Sequence, residues 1–460
     1  MSDETGTPGS GQGPEDPVAK WFAQFSSGPG GQFDLQKMMQ QLQQAMTSMA
    51  GRTDATGIDW GQTKVAARHV VARLGADPSP TANDQQQVFE ADRLSSLWLD
   101  QHQSFGPLTS QPAAWSRAEW VERTMESWRT VAEPIVTRIA DALAASFSQQ
   151  FDVGEGAPAE LGQFGSMLTP MLRASAGSMY ATQLAQAIGK IAGQVVSGSE
   201  LGLQLLPTPQ VVLLPTNVAE FITGLGVPDE DARIYLTVRE GARQRLFANV
   251  GWLGPQILAL LEHYARQITI DVGAITEAID IDDMSSMTSE RMADLSNQLQ
   301  GKLFSPTQND VQLEILGRLE VLLALVEGWV DEVTANTVAA WMPQTSGLLA
   351  EAVRRRRATS NPAQQLFTEL VGLDMAPRRV REAANLWAVL TRHRGVEGRD
   401  ALWAHPDLIP SAEDLADPLR LTSPEEAGPE GDEMDRALAQ LLEQAEAERR
   451  EESGEEPDAG

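Results

Sequence analysis

The stretch PDEDARIYLTVREGARQRLF, Pro228–Phe247, decides how this chain is read. Pro228 followed by Asp229, Glu230 and Asp231 marks a helix start, because carboxylates are favoured where unpaired N–H groups and the positive end of the macrodipole gather. From there Ile234, Val238, Ala242 and Leu246 recur at the helical period and make one apolar stripe. Arg239 and Arg243, four residues apart, lie together at the edge of that stripe, and Glu240 sits between them in the chain. A second helix offers them partners. Its stripe is Leu316, Leu323, Val326 and Val330, with Glu320, Glu327 and Asp331 beside it, the last two within LVEGWVD (Leu325–Asp331).

The rest of the central sequence carries the same period. Val88–Trp98, Trp115–Phe147, Phe164–Val196 and Val311–Trp341 read as helices, punctuated by Pro, Gly and Asp/Ser clusters. Val211, Val212, Leu213 and Leu214, bounded by Pro207, Pro209 and Pro215, read as a buried strand. The expected class is therefore mainly α with a very small β element and no internal repeat.

Composition bounds the chemistry. The chain has 460 residues and no cysteine, which excludes disulfides, thiolate metal sites and cysteine nucleophiles. A net charge of -29 repels phosphate backbones and anionic lipid, so no nucleic acid and no membrane is expected as a partner. The most apolar stretch, Gly177–Val196, contains Gln183, Gln186, Lys190 and Gln194, too polar for hydrocarbon. The N-terminus lacks a signal-peptide pattern, and a reduced cytoplasm is the expected location. Residues 1–58 read as a flexible arm carrying an amphipathic Gln/Met-rich helix at Phe33–Met49. Residues 59–422 form the α-rich domain, and 423–460 a disordered tail in which 14 acidic residues face 3 arginines.

Several separate motifs then point one way. They are the Trp60 region, the small-residue helix Gly177–Gly193, Leu213-Leu214-Pro215-Thr216-Asn217, the two helices above, and Arg354–Ala358. Val371-Gly372-Leu373, Pro377–Ala383, Arg399–Trp403 and His405-Pro406-Asp407 continue the series. Together, over Trp60–Thr422, they resemble an actinobacterial zincin-like family whose members are described as hydrolases or zinc-dependent metalloproteases. The resemblance implies a zincin-like helical fold. In metal-binding relatives the first helix carries His-Glu-x-x-His: two imidazoles on one face reach one zinc, the glutamate activates its water, and a carboxylate from another helix completes the set.

Matched onto this chain, the histidine positions are Arg239 and Arg243 and the glutamate is Glu240, a vestigial general base. A guanidinium has no lone pair to give and stays protonated, so it does not ligate zinc. Glu327 is expected to face the former metal position. No metal or other cofactor is expected, although relatives hold zinc. The five histidines, His69, His102, His263, His393 and His405, show no ligand pairing, and a relocated site would have to use His263, Glu327 and Asp331.

Two readings of the arginines follow. In the first, Arg239 or Arg243 pairs with Glu327 and replaces the metal as a structural cross-link. In the second, the arginines bind an anion, with Asp331 nearby. The corresponding functions are a binding or scaffold protein that has lost catalysis and engages an unknown protein or peptide, or a working hydrolase with Glu240 as base and a non-standard metal site. The Arg354–Arg357 run reads as a solvated helix end, Asp400 and Asp407 around His405 as a hydrogen-bonded turn, and Trp252, Trp329, Trp341, Trp387 and Trp403 as core. Gly177, Gly189, Gly193 and Gly198 read as helix positions that allow close packing.

Overall fold

The computed structural model describes residues 58–150, 177–268, 309–359, 362–371 and 379–422. The arm up to residue 57, with its expected helix at Phe33–Met49, and the tail from 423 lie outside them.

Helices dominate. In chain order they are α1 (Trp60–Leu74), α2 (Ala82–Leu99), α3 (Arg117–Gln150), α4 (177–192), α5 (Pro215–Ile222), α6 (Asp229–Asn249), α7 (Leu253–Arg266) and α8 (Asp310–Ala339). Then come α9 (Ser346–Thr359), α10 (Pro362–Val371), α11 (Val380–Asp400) and the single turn α12 (Ala412–Ala416), among short 3-10 turns. Their starts carry the expected chemistry. Thr81 with Asp84, and Asn309 with Gln312, form reciprocal capping boxes that satisfy orphan N–H groups at α2 and α8.

The sheet is smaller than the apolar run suggested. Only Val212–Leu213 (β2) is strand, pairing in parallel with Ala113–Ala114 (β1) through Ala113↔Val212 and Ala114↔Leu213. Its other edge meets the 196–198 segment through an antiparallel bridge, Ser197↔Leu213. One long crossover, from β1 to the parallel β2, therefore ends in a two-residue pairing, and β1, an Ala-Ala step, carried no strand signal of its own. Gly198 belongs to this bridging segment and not to α4, which ends at 192.

The core holds α8 at its centre, buried along Ile315, Leu319, Leu322 to Val330 and Val333. α11 packs on it closely because Gly328 has no side chain: a Cβ there would stand 2.5 Å from Ala383 Cβ and 2.7 Å from Ala384 N. Gly189 does the same for α4 against α1, where a Cβ would meet Val70 Cβ at 2.5 Å. Trp329, Trp387 and Trp403 are fully buried and Trp252 partly so. Trp341 departs from the core reading. It is 57% exposed and stacks on Trp98 with centroids 5.3 Å apart.

Candidate functional site: a buried arginine–carboxylate network

α6 and α8 run antiparallel, so residues four apart on one meet residues four apart on the other. Arg239 Nη1 donates to Asp331 Oδ1 at 2.6 Å and its Nη2 to Glu327 Oε2 at 3.3 Å. One turn on, Arg243 grips Glu327 with two bonds, Nε to Oε1 at 2.9 Å and Nη2 to Oε2 at 3.2 Å. That fork is the geometry in which a guanidinium matches a carboxylate best. Arg243 Nη1 also donates to Glu240 Oε2 at 3.1 Å. Arg239, Arg243, Glu240 and Glu327 are all buried.

Glu240 is held from a second direction. The 196–200 segment, fixed by its bridge to β2 and by Trp120 Nε1 donating to the Gly198 carbonyl at 3.0 Å, turns two serines onto the carboxylate. Ser197 Oγ donates to Oε2 at 2.7 Å, while Ser199 N and Oγ donate to Oε1 at 3.1 and 2.9 Å. Gln244 Nε2 adds a further bond to Oε1 at 3.0 Å. With Arg243, five donors meet one carboxylate, which has about four acceptor positions in all.

α9 closes the network. Arg357 donates Nη1 and Nη2 to the two oxygens of Asp331, at 2.9 and 2.8 Å, and its Nη2 lies 3.5 Å from Glu327 Oε2. Arg356 pairs with Glu200 at 3.2 Å and donates to the Gln194 carbonyl. Half of the arginine run thus faces inward, because positions 356 and 357 follow Leu349 and Ala352 round to the buried side of α9, while Arg354 and Arg355 stay exposed. The expected solvated helix end holds for those two alone.

Burial by itself would raise the Asp331 carboxyl, but Arg239 and Arg357 together overcome that and hold it well below the usual carboxylate range. Burial opposes the charge on Arg239 too, and Asp331, Tyr235 and Glu327 outweigh it, pushing the guanidinium further up. Arg357 shifts the same way through Asp331. Burial pushes the Tyr235 phenol beside them up. Four guanidiniums, Arg239, Arg243, Arg356 and Arg357, face four carboxylates, Glu200, Glu240, Glu327 and Asp331, so the network is neutral.

The network does not suit zinc. Two of its inward side chains at one helical turn's spacing are guanidiniums, which offer no lone pair and fill the space between Glu240 and Glu327 with positive charge. No group of three His, Asp or Glu residues that could hold a metal ion occurs among the described residues, so His263, Glu327 and Asp331 do not converge. His263 is exposed on α7.

Asp400 does not meet His405 either. It is buried and accepts from Arg399 Nε at 2.7 Å, Trp329 Nε1 at 2.8 Å and Ser104 N at 2.8 Å. His405 caps its own turn through Asp407 N. Glu320 belongs to α8. Sequence reasoning did not find Glu200, Ser197, Ser199 or Gln244. Gln244 follows Glu240 at i+4 and was legible in principle, whereas the serines reach the site through the bridge to β2.

A family model for zincin-like metallopeptidases matches residues 58–421. No curated protein matches the chain. Among solved structures, one from Chloroflexus aurantiacus, described as "a putative hydrolase with a novel fold", is similar with a TM-score of 0.52 and 18% identity. The match covers 79% of this chain and 97% of that one, and at this identity the likeness is one of fold.

Proposed function

The chain belongs to the zincin-like metallopeptidase family, and we propose that it is a member in which a buried ion-pair network has taken the place of zinc and in which hydrolysis is lost. One observation carries the proposal: Arg239 and Arg243 both point at Glu327, with Arg243 also on Glu240, where a zinc site of this type would need imidazoles. Two positive charges among these carboxylates do electrostatically what a dication would do, and they cross-link α6 to α8. The protein then works as a binding or scaffold protein in a reduced cytoplasm, engaging a protein or peptide, without nucleic acid, membrane or a resident cofactor. No helix among the described residues is long and apolar enough to cross a membrane, which is compatible with that setting.

The competing reading keeps a hydrolase with Glu240 as general base and a metal held in some other way. A base needs a free lone pair directed at water, and the five donors on Glu240 leave none. Elemental analysis of the native chain beside an Arg239→His/Arg243→His variant tests the proposal. Zinc absent from the native chain and about one equivalent in the variant is the expected result. Stoichiometric zinc in the native chain would overturn the proposal and send the work to peptidase assays.

A further inference from the structure

We draw no further inference here: the strongest candidate, the exposed apolar patch where Trp341 just past the end of α8 stacks on Trp98 of α2, with Leu94 and Leu97 exposed on the same helix, carries none, since nothing in the structure shows what covers it.

Discussion

At the scale of single residues, the most informative position is Glu327. It accepts from Arg239 and twice from Arg243 while only 8% exposed. Removing its charge takes one of two carboxylate partners from each of two buried guanidiniums, which keep Asp331 and Glu240, and breaking one partner out of a buried pair costs about 3–5 kcal/mol. Glu327→Gln should therefore lower unfolding stability by about 3 kcal/mol in urea titration, and a loss under about 0.5 kcal/mol would remove the cross-link from the account. Acid acts on the same network. The folded Asp331 carboxyl lies below its ordinary value, so its contribution is full above about pH 4 and is lost as pH falls through that value and below. The stability of an Asp331→Asn variant should be lower than that of the parent at pH 7 and converge on it in acid.

Asp92 runs the other way. Burial pushes its carboxyl up to about 6, only partly opposed by Arg245. A raised acid is a penalty above its folded value that is relieved as pH falls from about 6 towards 4. Asp92→Asn should stabilise the chain at pH 7 by about 1 kcal/mol, after allowance for its partial exposure, and the gain should vanish near pH 4. A pH-independent difference between the two proteins would show that the carboxyl is not desolvated as the packing of α2 on α6 implies.

At the scale of elements, the site depends on how near α11 comes to α8. Gly328 is the neighbour of Glu327, and a methyl at 328 would meet backbone of α11 at 2.7 Å, which no rotamer relieves. Gly328→Ala should cost about 1–3 kcal/mol as the two helices part. Because the displaced turn carries Glu327 and Trp329, the variant should also change tryptophan fluorescence at Trp329, whose Nε1 bonds to Asp400. Parental stability in the Gly328→Ala variant would mean that α8 and α11 can slide without strain. The same element view explains the arginine run. Periodicity in α9 assigns Leu349 and Ala352 to the inner face, and the next turn brings Arg356 and Arg357 to the side that faces the network.

At the scale of the whole molecule, charge is the dominant fact. A chain with 64 acidic and 35 basic side chains repels itself, and salt screens that repulsion while leaving a buried network almost untouched. Raising sodium chloride from about 20 to 300 mM should raise the melting temperature. A fall would show that surface ion pairs such as Arg68–Glu122 and Arg420–Glu413 outweigh the repulsion.

The sequence by itself determined the helical class and the boundaries of α6 and α8 to within a few residues, and it offered Glu327 as a partner for Arg239 or Arg243 beside an anion-binding alternative. Those follow from local rules: period, cap chemistry, and the need of a charge beside an apolar stripe for a partner. Only the tertiary structure decided that both arginines and Asp331 join one network, that Arg356 and Arg357 enter it, and that Ser197 and Ser199 saturate Glu240. Tertiary structure also decided that Trp341 lies outside the core and that the strand shrinks to two residues. The reason is physical. A helical wheel fixes which residues share a face, but which faces meet is set by packing between segments far apart in the chain, such as the bare backbone at Gly328 and the bridge that carries the 196–200 segment to α6.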